Sequence, residues 1–239
     1  MSLRAVLFDV GGTLVRDDTY AVGPHHDEFR VARLRKAFGT ERAWFRTVLQ
    51  EQLEREEHEG VPHRQDTRAA IRALVRGHHG VELTDEEVEW VRAACCLPTA
   101  ELGVEVPRPG ALAALRWSKG RGLKVALVTN VLWRTAADSL ADWTARGASA
   151  WIDTIVTSID VGWRKPHRAM FERALAELDV APADAVMVGN SRAADIAPAK
   201  ALGMRSVLVR SREPSTSDVQ PDAVVAELTD LPAVLRRWL

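Results

Sequence analysis

The stretch Leu7-Phe8-Asp9-Val10-Gly11-Gly12-Thr13-Leu14-Val15, LFDVGGTLV, ends an apolar run in one carboxylate, two glycines and a threonine, then turns apolar again. The run leading into it, Leu3–Phe8, has no polar/apolar alternation, which suits a parallel strand covered on both faces. Asp9 therefore stands at the mouth of a buried strand, and the glycines supply the turn that leaves it. Alone, DVGGT is also compatible with a plain strand-end turn. A phosphate-binding turn is a further reading, but one of that kind continues into a β-hairpin and needs a second lobe.

Similar apolar runs recur at Leu123–Val128, Ala185–Val188 and Ser206–Val209, with a weaker one at Ile152–Val156. Helical patterns separate them at Pro109–Gly120, Arg134–Arg146, Pro166–Leu178 and Arg192–Leu202. Strands alternating with helices predict an α/β fold, a Rossmann-like doubly wound parallel sheet. The first crossover differs. From Arg16 to Pro107 no comparable strand occurs, and the text is helical at Glu28–Phe38, Arg42–Glu57, Gln65–His79 and Asp85–Cys96. A structureless connection of that length is improbable, so an inserted helical subdomain is expected over 17–107. Residues 1–16 and 108–239 then form the core, with linkers at Arg16–His26 and Cys96–Pro109. Past the Ser/Pro-rich loop Ser211–Pro221 come a short apolar run, Ala223–Val225, and a closing helix near Leu231–Leu239.

The 239 residues carry 46% hydrophobic and 27% charged side chains, ordinary for a globular protein, and a net charge of −1. That balance provides no field for nucleic acid or an anionic membrane. No apolar run reaches the ~20 residues that span a bilayer, and no secretory leader is legible. Cys95 and Cys96 are adjacent and cannot staple distant segments. A cytoplasmic protein is expected, as a monomer or homodimer, with neither nucleic acid nor membrane as partner.

Polar residues follow the strands where open parallel sheets bind ligands: Asp9 after the first, Thr129-Asn130 after the second, Gly189-Asn190-Ser191 after the fourth, with Asp195 five residues beyond Asn190. Lys165 precedes Pro166, which predicts an ammonium at a helix start, beside free N–H groups. His25-His26-Asp27-Glu28 and His78-His79 read more simply as surface than as metal ligands. The run Arg55–Glu59 reads as the wet face of a helix.

In this order and strand context, LFDVGGTLV, VALVTN, GWRKPHRAMFERAL and VMVGNSRAADIAPAKALGM resemble the four motifs of the haloacid dehalogenase superfamily, over essentially the whole chain. The helical insertion falls where that superfamily's C1 cap sits. The resemblance implies Asp9 as nucleophile, with Thr129 and Lys165 completing the catalytic set. It implies Thr129, Asn130, Gly12 and Lys165 at the transferring phosphoryl group, and a Mg²⁺ cofactor on Asp9, the Gly11 carbonyl, Asn190 and Asp195. The substrate it implies is a small phosphorylated metabolite.

Two positions depart from the pattern. Gly11 stands where family phosphatases usually carry a general acid–base aspartate, and Asn190 where motif four usually reads Gly-Asp. Acid–base help is typically worth ~10²–10⁴ in rate, so substrates whose leaving group needs little protonation, acyl or aryl phosphates, are expected. Two other readings remain: a metal-independent carbon–halogen hydrolase using the same aspartate, and a non-catalytic member that binds a phosphorylated ligand or a protein.

Overall fold

Runs of Val, Leu and Ala bounded by turn residues become strands, and the computed structural model describes residues 2–16, 24–48, 66–210 and 217–239. The strands are β1 (Ala5–Phe8), β2 (Lys124–Thr129), β3 (Thr154–Thr157), β4 (Ala185–Gly189), β5 (Arg205–Val209) and β6 (Ala223–Val225). They pair in parallel in the order β3-β2-β1-β4-β5-β6. The helices are α1 (Pro24–Phe38), α2 (Thr67–His79), α3 (Asp85–Cys95), α4 (Ala111–Gly120), α5 (Ala136–Ala145), α6 (Ser158–Val161), α7 (Arg168–Leu178), α8 (Ala197–Ala201) and α9 (Leu231–Leu235).

Successive strand side chains point to opposite faces, and both faces are covered. Val6 and Phe8 of β1 join Val125, Leu127, Val186 and Val188 under α4, Trp143 of α5, and α9. Ala5 and Leu7 join Ala126, Val128, Ala185 and Met187 under Met170, Phe171, Ala174, Leu175 and Leu178 of α7. Burial on two sides is why these strands lack alternation. Helices α4 and α5 lead outward from β1 to β3; α7 then returns the chain to β4, on the other side of β1. This reversal of winding opens a crevice at the carboxyl ends of β1 and its neighbours.

Helices α1 to α3, which lie between β1 and α4 in the chain, surround an apolar cluster of their own that includes Val31, Leu34, Phe45, Ile71, Leu74, Val88, Val91 and Cys95. Local signals set their limits. Asp66 caps α2 by accepting from the Ala69 N–H at 2.9 Å. Thr84 and Glu87 form a reciprocal capping box on α3. Gly80, at φ 64°, ends α2 in the left-handed region open to glycine. Trp44 and Phe45 are buried in this unit and Trp90 is exposed.

Several expected elements shift. Ala223–Val225 is a true edge strand pairing with β5. The helix expected over Arg192–Leu202 breaks into a π-helical turn, Arg192–Ile196, followed by α8, because Asp195 folds back onto the Ser191 N–H and Pro198 donates no N–H. The closing helix ends at Leu235. The segment Arg42–Glu57 is helical over 45–48, and its remainder lies outside the described residues, as do residues 17–23, Arg55–Glu59 and 211–216. Among the described residues no helix is long and apolar enough to cross a membrane.

Candidate active site

The register Phe8↔Leu127 and Phe8↔Val188 carries Asp9 level with Gly189 at the strand ends. The Asp9 N–H donates to the Val188 carbonyl at 2.9 Å, so the sheet ladder fixes its backbone. The turn beyond it closes on the Val10 carbonyl, which accepts from the amides of Thr13, Leu14 and Val15. Gly12 makes this possible at φ 69°. The turn brings the Thr13 hydroxyl back to donate to Asp9 Oδ2 at 2.7 Å.

Lys165 is buried with its ammonium between two carboxylates, 2.6 Å from Asp9 Oδ1 and 2.8 Å from Asp195 Oδ1. Its backbone is held by the side chain of Asn130: Oδ1 accepts the Lys165 N–H at 2.7 Å and Nδ2 donates to the Lys165 carbonyl at 3.1 Å. This corrects the expectation that Lys165 starts a helix. Helix α7 begins at Arg168, capped by His167, whose ring stacks on Trp163 at 3.9 Å between centroids. The lysine is set by a distant amide rather than by helix N–H groups.

Asp195 completes the row. Its Oδ2 accepts the Ser191 N–H at 3.1 Å. A Cβ on Gly189 would overlap its carboxylate, so only glycine lets Asp195 pack under the end of β4. Burial pushes the Asp195 pKa up to about 6, and Asp9 adds to that while Lys165 opposes it. Burial works against the Lys165 ammonium, yet the two carboxylates outweigh it and hold its pKa above the ordinary lysine value. Two acids around one cation leave the row with one excess negative charge when all are ionised.

Asn190 turns the inner end of its carboxamide toward three oxygens, 3.1 Å from Asp9 Oδ2, 3.2 Å from the Gly11 carbonyl and 3.3 Å from Thr13 Oγ1. With its oxygen inward, Asn190 presents a carboxamide oxygen 3.1 Å from the Asp9 carboxylate and 3.2 Å from the Gly11 carbonyl. Octahedral Mg²⁺ with bonds near 2.1 Å has neighbouring ligand oxygens about 3 Å apart. The donor chemistry and the spacing fit such an ion. Asp195 has both oxygens engaged elsewhere, and the described residues contain no cluster of three or more His, Cys, Asp or Glu able to hold a metal.

Thr129 ends β2, buried, one step beyond the level of Asp9. Asp9, Gly11, Gly12, Thr129, Asn130, Lys165, Asn190 and Asp195 thus converge at the sheet's carboxyl edge. Two contributions were not anticipated: the Thr13 hydroxyl on Asp9, and the Asn130 side chain, expected to act through its N–H. Thr13 was within the quoted turn, four residues from its partner. Asn130 lies 35 residues from Lys165, and nothing local signals the pairing. His79 meets the Thr47 hydroxyl at 3.1 Å instead of a metal cluster. Burial pushes the Cys95 thiol up to about 12, so it packs as an apolar residue.

A parallel α/β sheet with an acid, a lysine and a second acid at its carboxyl edge defines a class of α/β proteins with a carboxylate centre. The chain matches the family model for haloacid dehalogenase-like hydrolases over residues 3–203, and it belongs to that family. Among similar proteins is the ribulose-1,5-bisphosphate 5-phosphatase of Halopiger xanaduensis, 34% identical over 50% of this chain and 48% of that one. The phosphoserine phosphatase of Thermus thermophilus is 32% identical over 52% and 49%, respectively. The chain therefore spans about half the length of these relatives. A HAD phosphatase from Thermococcus onnurineus superposes with a TM-score of 0.60 at 22% identity, covering 98% of each chain. The 2-haloacid dehalogenase of Pseudomonas syringae pv. tomato superposes with a TM-score of 0.64 at 22% identity, covering 99% and 100%. At such identity these two share the fold.

Proposed function

We propose that this chain is a phosphatase of small phosphorylated metabolites that works through a covalent aspartyl-phosphate on Asp9. The observation that carries the reading is the buried Lys165 ammonium shared between Asp9 and Asp195. Such a cation holds the Asp9 carboxylate in place as a nucleophile and offers positive charge to an incoming phosphoryl group. The phosphatases among the similar proteins support the substrate class.

In the proposed reaction a carboxylate oxygen of Asp9 attacks phosphorus. The new P–O bond to Asp9 forms as the bond to the ester oxygen breaks, and that oxygen leaves with the electron pair. Thr129, the Asn130 N–H and Gly12 bind the phosphoryl oxygens, while Asp195 anchors Lys165. Water then attacks the phosphorus, releasing inorganic phosphate and regenerating Asp9. Mg²⁺, held by Asp9 Oδ2, the Gly11 carbonyl and the Asn190 carboxamide oxygen, supplies neutralisation of the phosphoryl charge when bound. Gly11 moves no proton, so the leaving oxygen takes its proton from water or departs as a stabilised anion. Acyl and aryl phosphates follow as preferred substrates.

The helical unit, residues 17–107, acts as the cap over a core of residues 1–16 and 108–239 in this reading. Thr67 donates to the Leu132 carbonyl at 2.9 Å and Arg92 to the Trp133 carbonyl at 2.5 Å, both in the loop that follows Asn130. Closure there excludes water from the acyl-phosphate.

The test is capture of the intermediate: incubation with labelled acyl or aryl phosphate, acid quench and peptide mapping, with Asp9→Asn as blank. Label on Asp9 that is labile to hydroxylamine is expected. Turnover with no phosphoryl label overturns the covalent step on Asp9, and halide release from a 2-haloacid overturns the proposal in favour of carbon–halogen hydrolysis. Neither turnover nor label leaves a binding protein and also overturns it.

A further inference from the structure

We infer that Asn190 is a two-position carboxamide, presenting its nitrogen to the Asp9–Gly11 oxygens when no cation is bound and its oxygen when one is. The inference rests on the cation site assigned in the proposal above, and it concerns what this chain does differently at a position where its family usually carries aspartate.

Asp9 Oδ2, the Gly11 carbonyl and Thr13 Oγ1 lie 3.1, 3.2 and 3.3 Å from the inner end of Asn190. The Thr13 hydroxyl has one proton, and at 2.7 Å it is committed to Asp9 Oδ2. All three oxygens therefore face Asn190 as acceptors. An amide nitrogen carries two protons and no lone pair to offer, so with Nδ2 inward it satisfies two of them at once. With Oδ1 inward, the carboxamide adds a fourth oxygen to those three, an arrangement that a cation among them stabilises. A half rotation of the terminal amide interchanges the two arrangements without moving the backbone, and the shape of the group stays nearly constant.

Aspartate has no such alternative. At position 190 it would place a second anion against Asp9 when no cation is present, and like charges this close raise the energy of that state. Asparagine thus keeps the site ordered without metal and weakens metal binding twice, by lacking a charge and by stabilising the competing arrangement. Occupancy becomes conditional on cation concentration, and the centre holds its geometry in either state.

The experiment uses the full chain with no substrate, so its outcome is separate from whether Asp9 is phosphorylated. Protein labelled with ¹⁵N on asparagine is compared in EDTA and at saturating Mg²⁺, and the Asn190 side-chain amide pair is assigned by its absence in Asn190→Asp. That pair is expected to be protected from water exchange in EDTA, and to shift and lose protection as Mg²⁺ binds. Calorimetry is expected to give binding at least about tenfold tighter in Asn190→Asp. That variant should gain about 5 °C or more in melting temperature between EDTA and Mg²⁺, with a smaller gain in the parent chain. An amide pair unchanged by Mg²⁺, equal affinities in the two proteins, or no Mg²⁺ binding by either overturns the inference. Asn190→Ala provides the assignment should the aspartate variant fail to fold, leaving the parent chain's amide pair as the deciding readout.

Discussion

Gly11 is the residue at which this chain departs furthest from a proton-transferring phosphatase, and the departure has room to be reversed. A Cβ added there meets no atom within 4 Å. Gly11→Asp is therefore expected to fold and to raise kcat on alkyl phosphates by up to about 10²-fold, with little change on acyl phosphates, because acid help matters only for a poor leaving group. Paired rate measurements on the two substrate types check this. Lys165 is the opposite case, a residue with no tolerable replacement. Lys165→Met leaves Asp9 and Asp195 buried and facing each other without a cation, and a loss of about 3–5 kcal/mol in urea unfolding is expected. Asp9→Asn retains the shape and should reduce turnover by more than about 10³-fold. At this scale the sequence was informative wherever a partner lay close by. Asp9 and Gly12 stood in one turn, whereas the clamp of Asn130 on Lys165 needed two loops to meet.

Secondary-structure elements were legible to the extent that their signals were local. Continuous apolar runs identified β1, β2, β4 and β5, because a strand buried on both faces writes its environment into its own composition. Helix starts were less faithful. Pro166 reads as a first-turn proline, yet His167 caps α7 and the helix starts at Arg168. The run Ala223–Val225 was noticed but not assigned as a strand, because three residues on an edge, with Val224 exposed, carry too little apolar text. Arg92 on α3 pairs with Asp138 at the start of α5 at 2.7 Å. Burial raises the Asp138 pKa, but Thr135 and Arg92 outweigh it and hold it below the ordinary aspartate value. A carboxyl depressed on folding adds stability above its unfolded pKa, near 4, and loses it as pH falls through the folded value. The melting temperature of the parent chain should thus fall more steeply below pH 4 than that of Asp138→Asn.

For the whole molecule, the sheet has one apolar cluster on each face and the insertion has a third. The polar contacts described between insertion and core run through Thr67 and Arg92. A second network, Arg134 with Glu105 at 2.8 Å and Asp142 at 3.1 Å, secures the returning linker against α5. Arg92→Leu is therefore expected to lower stability by about 2 kcal/mol, the worth of charge-assisted hydrogen bonds. Hydrogen exchange should quicken in residues 131–135 while the β1–β4 ladder remains protected, since the three apolar clusters are untouched.

The alternation of the main strands with helices and the polar residues at the strand ends were determined by sequence alone. Each depends on periodicity and turn chemistry within a short window of chain. Only the tertiary structure decided that Lys165 lies between two acids, that Asn130 holds its backbone, and that Asn190 faces three oxygens. Those facts depend on the distance between loops far apart in sequence, which is fixed only once the sheet has set its strands side by side.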